Sequence, residues 1–314
     1  MVETAASLLS PEVLAEARQR ERRVAWRQTR VAWFFIAPAV IMVSLFLLAP
    51  VLVNVILSFT KWQKFTGLDK FAGFSNYARL FNVPYFSEAL ANTAYWVVGA
   101  IVLPLAVALA LALVLRNIAF QETLKSLYFL PKVLAPTAVG AIWYYVYAPH
   151  GVLNSAITGV SGHPFDFGWL YDSNTVTPSV IVTFVWQTVG ITMVLLLLGL
   201  AAIPKDPIEA ARVDGASPGQ IFRHIIWPLL LPTVLVVTIL NVAAGFTTFD
   251  LLWVMAGDYP GKRTLSLAVY MYYESFSNGS WAYGSAVAVV LGAMVIAVSA
   301  ALAVLQSRVE KRIR

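Results

Sequence analysis

The residues able to do chemistry gather in one short stretch. In EAARVDGASPGQIFRHIIWP, residues 209–228, Glu209, Arg212, Asp214, Arg223 and His224 fall within a few helical turns of one another. Such groups serve catalysis where His, Asp, Glu or Cys cluster around a reacting atom. They serve docking where a charged surface meets a partner. Catalysis finds no support elsewhere in the chain. His150, His163 and His224 are scattered, without metal-ligand spacing, and the absence of cysteine excludes disulfides and thiolate metal sites. The nearest approach to a phosphate-binding loop is GDYPGKR at 257–263. It has three residues between its glycines instead of four, and Arg263 stands where Ser or Thr is needed. The stretch therefore faces either water or a partner.

Its flanks decide where it sits. TMVLLLLGLAAI precedes it and LLLPTVLVVTIL follows. Over 314 residues, 59% are hydrophobic and only 12% charged, with a mean hydropathy of +0.74. Ordinary soluble chains are about 45–50% apolar and about 25% charged. About 20 apolar residues at 1.5 Å rise cross the hydrocarbon of a bilayer, and backbone in lipid must be helical. Six such spans are expected, at 31–58, 89–115, 124–147, 178–201, 228–249 and 284–306. Pro131 and Pro136 predict a kink in the third. The fold class is thus all-α, with six transmembrane helices. About thirty polar, Arg-rich residues precede the first span, so the N-terminus is not a signal peptide.

Basic residues set the orientation. Fifteen lie before span 1, between spans 2 and 3, between spans 4 and 5 and after span 6; six lie on the other side, and Lys132 falls inside span 3. The net charge of +6 then records topology rather than affinity for nucleic acid, and both termini are expected in the cytoplasm. The expected organisation is a cytoplasmic Arg-rich helix over 1–30, the first span at 31–58 and an external loop at 59–88. A five-helix core follows over 89–306, containing the polar stretch at 206–228, and a basic cytoplasmic tail ends the chain at 307–314. In the N-terminal segment a short helix is expected, which Ser10 is placed to cap and whose first position suits Pro11.

The polar stretch carries its own stop and start signals. Asp206 is placed to cap a helix beginning at Pro207, with Glu209 completing a capping box. Gly215 ends that helix in the left-handed conformation. Ser217, Pro218 and Gln220 repeat the start signature, and Pro228 is expected to end the second helix and open span 5. Ala210, Ala211, Gly215 and Ala216 are small enough for another surface to approach. Phe222, Ile225 and Ile226 share a face that can anchor the second helix. A rigid cytoplasmic docking element is the better reading of this pattern than an ordinary loop.

EAARVDGA, followed by Phe222, Ile225 and Pro228, resembles the EAA loop of binding-protein-dependent ABC importer permeases, with Trp227 where leucine is usual. FAGFSNYARLF at 71–81, ANT at 91–93 and LYFLPKVLAPTAVGAIWYYVYAP resemble the carbohydrate-uptake branch, close to maltose and glycerol-phosphate permeases. FTTFDLLWVMAGDYPGKRTLSLAVYMYYESF resembles that branch's last external loop, though AGDYP replaces the usual TxGGP. The resemblance covers about 31–306 and implies a type I ABC importer permease of the bacterial cytoplasmic membrane. It implies that Glu209, Ala210, Ala211, Asp214, Gly215 and Ala216 form coupling helices seated in a cytoplasmic ATPase. It further implies two copies of that ATPase carrying ATP and Mg, a second homologous permease subunit and an external substrate-binding protein. This chain would itself hold no cofactor and no metal.

Sugar crossing the bilayer needs hydrogen-bonding groups and aromatic faces inside the spans. Trp186, Gln187 and Thr188 in span 4, and Asn241, Gly245 and Thr248 in span 5, are the candidates. The last three share one helix face, which serves either substrate or helix packing. Trp143, Tyr144, Tyr145 and Tyr147 suit the outer mouth or an interfacial aromatic belt. Lys132 can meet a phosphate, which would favour glycerol phosphate as cargo, or snorkel to the cytoplasmic face. An ion-coupled secondary transporter is the alternative class, but only Asp250, near a span end, offers a carboxylate.

Overall fold

The computed structural model describes Trp26 and residues 33–63, 70–116, 118, 120–172, 174–256 and 265–313. The expected N-terminal helix with its Ser10 cap, and the GDYPGKR segment, lie outside the described residues. The chain divides into two compact units, Met1–Ile56 and Leu57–Arg314. The described residues contain one isolated antiparallel bridge, Thr60 with Phe71, and no strand.

Helix α1, Trp33–Ser58, takes in every described residue of the first unit except Trp26 and ends just inside the second. It carries a π-helical turn at Ser44–Leu48, closed by the Ala49 amide donating to the Ser44 carbonyl. Pro50 follows at once. Proline has no N–H to give and its ring crowds the turn before it, so the helix widens there rather than breaking.

The second unit is built on α3 (Pro84–Leu115), α7 (Val176–Ala201), α9 (Pro218–Thr247) and α12 (Trp281–Ile313). With α1 they make five helices long and apolar enough to cross a membrane. Their burial differs widely. The most apolar stretch of α7 is 67% buried and that of α12 only 11%. So α7 is the central post, packed along α3, α4 (Gln121–Val133) and α9, whereas α12 touches the bundle along one side, against α9 and α11 (Leu267–Tyr272). Two apolar clusters fill the unit. Trp96, Phe184, Leu251 and Tyr270 belong to one. Leu196, Leu230, Ile208 and Ile221 belong to the other, which lies beneath the polar stretch.

The third expected span departs from a single kinked helix. It is two helices, α4 (Gln121–Val133) and α5 (Pro136–Val146), separated by Leu134 and Ala135 in extended conformation. The residue before a proline is driven out of the helical region, so Pro136 converts the kink into a break. The fifth span departs in the opposite sense. No interruption occurs at Pro228, because α9 runs from Pro218 through a π-helical turn at Phe222–Ile226. Here too the turn stands just before a proline and is closed ahead of it, with the Trp227 amide donating to the Phe222 carbonyl. The sixth helix likewise continues through the basic residues after 306.

Short helices occupy the connections: α2 (Ser75–Asn82), α6 (Val152–Ser161), α8 (Asp206–Val213), α10 (Asp250–Ala256) and α11 (Leu267–Tyr272). The loop around α6 is tied by Asn154. Its side chain donates to the Pro149 and Phe167 carbonyls, both at 2.8 Å, and accepts from Trp169 Nε1 at 2.7 Å.

Candidate functional site

Two sites were expected, and the structure builds them differently. At the polar stretch, α8 begins one residue earlier than the capping signature suggests. Asp206 is its first residue, Lys205 holds the cap position, and no side chain closes a capping bond there. The amides of Ile208 and Glu209 both reach the Lys205 carbonyl at 3.0 Å. Asp206 and Glu209 thus lie in the first turn and Arg212 in the last, where each charge suits the helix dipole. The end of α8 is a Schellman turn: Gly215 donates to the Arg212 carbonyl at 3.1 Å and Ala216 to Ala211 at 2.9 Å. This needs a left-handed residue, and Gly215 has φ +79°.

The second start signal acts as its sequence implies. Ser217 Oγ accepts from the Gln220 amide, and the Ser217 amide donates to Gln220 Oε1 at 2.8 Å, completing a capping box. Three buried residues seat the pair of helices: Ile208 below α8, and Ile221 and Ile226 below the start of α9. Ile226 was expected there, with Phe222 and Ile225, which are half-buried. Ile208 and Ile221 were missed, although the 221, 225 spacing is one helical turn. Glu209, Ala210, Asp214 and Gly215 are exposed, Ala211 and Ala216 are half-buried, and Val213 stands 87% exposed at the tip. Between the helices lies an open hollow of about 370 Å³ lined by residues that include Asp214, Gly215, Ala216, Gln220 and His224. A rigid, small-residue concavity with the Asp214 carboxylate in its wall can receive a protein partner. It offers no catalytic cluster, and the described residues contain no group of three metal-binding side chains.

The expected substrate-path residues are dispersed. Trp186 is the one open to the surface, 36% exposed, with its ring edge-on to Trp143 at 5.7 Å. Gln187 is buried, and its Nε2 donates to the Leu134 carbonyl at 3.3 Å, closing the gap between α4 and α5. Thr188 is buried and returns its hydroxyl to the Phe184 carbonyl at 2.7 Å. Asn241 is buried between α9 and α7. Its Oδ1 accepts from Thr192 at 3.5 Å, and its Nδ2 has no partner among the described residues. Gly245 lies buried against Ala100 and Val97, and its carbonyl accepts from Trp96 Nε1 at 2.8 Å. Thr248 is half-buried at the end of α9 and bonds back to Ala244 at 2.7 Å. Asn241 and Gln187 approach α7 and the broken third span; Gly245 faces α3. Lys132 is exposed in the last turn of α4, two residues before the extended Leu134.

The model of the family described as "Binding-protein-dependent transport system inner membrane component" matches residues 27–314. The chain is 33% identical over 278 residues to the sulfoquinovosyl glycerol transport system permease protein SmoG of Agrobacterium fabrum, covering 86% of this chain and 88% of that one. It is 30% identical over 277 residues to the lactose transport system permease protein LacF of Rhizobium radiobacter, covering 85% and 91%. Among solved structures, it is similar to a chain of a bacterial ABC transporter involved in the import of the acidic polysaccharide alginate. There the TM-score is 0.79 and the identity 17%, over 90% of this chain and 98% of that chain, a likeness of fold.

Proposed function

Since the chain belongs to the inner membrane components of binding-protein-dependent transport systems, and is a multi-pass membrane protein of that kind, we propose that it passes a sugar or related polyol through the bilayer. An external substrate-binding protein delivers the cargo. The names of SmoG and LacF support the carbohydrate class. The observation that carries the mechanism is the polar stretch: two short helices locked at Gly215 and Ser217, exposed at Glu209, Ala210, Asp214 and Gly215.

In this reading the ATPase grips that surface from the cytoplasm. Two ATPase copies close on ATP and Mg, and the seated helices move with them. The motion enters the bundle through α9, which continues from Pro218 into the membrane without a break. A second, homologous permease completes the path, and the exposed side of the half-helices α4 and α5 faces it. Both termini lie in the cytoplasm. Introduced cysteines at Ser161 and Ser217 check this: an impermeant thiol reagent on intact cells labels 161 and spares 217, and the reverse pattern overturns the orientation.

A glycerol-phosphate cargo is the second reading, favoured by Lys132, an exposed ammonium beside the α4–α5 break. Reconstitution with partner permease, ATPase and binding protein tests both. Carbohydrate-loaded binding protein is expected to stimulate ATP hydrolysis and uptake. Stimulation by glycerol phosphate alone selects the second reading; activity without ATPase in an ion gradient defeats both.

A further inference from the structure

We propose that the cavity where α3, α4 and α7 meet the root of α8 binds the phosphodiester headgroup of an anionic membrane phospholipid. The cavity measures about 430 Å³. Arg116 enters it from the end of α3, Gln121 and Lys125 from α4, and Lys205 from the residue preceding α8. Three cations from three separate segments converge on one hollow, and no carboxylate among the described residues lines it.

One of the three is partly compensated. Lys125 pairs with Glu122 at 2.8 Å, but the Glu122 side chain is 86% exposed and that of Lys125 only 25%. The exposed Glu122 carboxylate thus offsets part of the Lys125 charge, while Lys125 itself lines the cavity and Glu122 does not. Arg116 and Lys205 have no ion-pair partner among the described residues. Like charges gathered around a hollow repel one another unless an anion sits between them. A phosphodiester supplies that charge and several acceptor oxygens for the Arg116 guanidinium and Gln121 amide.

The rest of the wall tells a lipid from a soluble phosphate. It is apolar, formed largely by the final turns of α7, including Leu197, and by Ile208 of α8. Free phosphate gains nothing from such a surface. A phospholipid places its head among the cations and its acyl chains along the leucines. The depth also fits: Arg116 immediately follows the last residue of α3, and α7 ends at Ala201. Cation-lined pockets between spans at this level are suited to anionic heads. Because Lys205 and Ile208 belong to the base of the docking helices, the bound lipid props that base. The proposal does not depend on which cargo is carried.

The full chain in mild detergent, offered phosphatidylglycerol and phosphatidylcholine of identical acyl chains, is analysed by native mass spectrometry. The expected result is retention of one phosphatidylglycerol with a preference of about tenfold or more. Combined Arg116→Gln, Lys125→Gln and Lys205→Gln abolishes the preference. The charge-keeping set Arg116→Lys, Lys125→Arg and Lys205→Arg restores it, which separates binding from folding. Arg223→Gln with Lys311→Gln leaves it unchanged. Equal preference in the triple glutamine variant overturns the proposal. So does equal loss in the Arg223, Lys311 pair, which would mean general surface attraction. Displacement of the lipid by millimolar glycerol phosphate assigns the cavity to a soluble anion and overturns the lipid source.

Discussion

Ala216 bonds to Ala211, five residues away, and Ser217 to Gln220, three away. Gln187 bonds to Leu134 across 53 residues, Asn241 to Thr192 across 49, and Trp96 to Gly245 across 149. The docking stretch is therefore closed by local chemistry on a few buried isoleucines. The interior of the bundle exists only because distant helices meet. Damage to the first should change what the protein couples to while leaving the bundle standing. Damage to the second should act on the bundle itself.

The largest effect is expected at Gly190, midway along α7. A methyl group there would fall on the Tyr128 carbonyl oxygen and 2.8 Å from Phe129 Cα. Both are backbone atoms of α4, so no side chain can swing aside and the helices must separate. Overpacking of this kind costs about 1–3 kcal/mol or more. Gly190→Ala should lower the melting temperature in detergent and reduce the amount of folded chain in the membrane. Gly159→Ala is the control, since a methyl there meets nothing within 4 Å. Equal behaviour of the two variants would show that α4 and α7 do not meet this closely.

Gly215→Val comes next, and it strikes the other region. A Cβ at Gly215 meets nothing within 4 Å, so the cost is backbone strain alone, at φ +79°. A left-handed conformation costs a non-glycine residue about 1–2 kcal/mol, and a β-branched one most of all. The chain should still insert and melt near the parent temperature. Co-purification of the ATPase, or hydrolysis stimulated by binding protein, should fall about five- to thirtyfold for a strain of that size. Gly215→Asn, which tolerates this conformation better, should recover part of it. Normal docking and normal stimulated hydrolysis in the valine variant would remove the coupling role from this turn.

The same contrast explains what could be read from the residues. Gly215 and the Ser217–Gln220 box were legible because their geometry is local, and the 178–201 span because an apolar run declares itself. Pro228 misled. A proline normally ends a helix, but the π-helical turn at Phe222–Ile226 absorbs it, and the residue pattern alone does not say whether the turn before a proline widens or breaks. Asp206 lost its capping role because Lys205 already holds the helical conformation that starts α8. Asn154 and Ile208 went unnoticed, since a loop knot and a buried anchor depend on neighbours that sequence spacing does not reveal. Asn241 and Gly245 share a face of α9 as their spacing requires, whereas the consecutive Trp186, Gln187 and Thr188 point to different sides of α7. Which element each one meets depends on the crossing of α3, α7 and α9.

Asn241 sharpens the comparison with the smallest expected change. It is 94% buried by its 6% exposure, one amide hydrogen-bonding function is met at the distance limit, and Nδ2 is unpartnered among the described residues. An unmet buried donor costs about 1–3 kcal/mol. A residue kept for packing alone would therefore be improved by Asn241→Leu, which fills the volume without the orphan amide. The expected outcome is a melting temperature equal to or slightly above the parent. Uptake should fall, by a factor matching the loss of one polar contact, about 0.5–1.5 kcal/mol. Such a split means that the amide is held unpaired in this conformation for a cargo that meets it during transport. Unchanged uptake with raised stability would assign Asn241 to the α7–α9 seam. A fall in both would mean that the Thr192 bond holds the seam together, and that this part of the path is structural first.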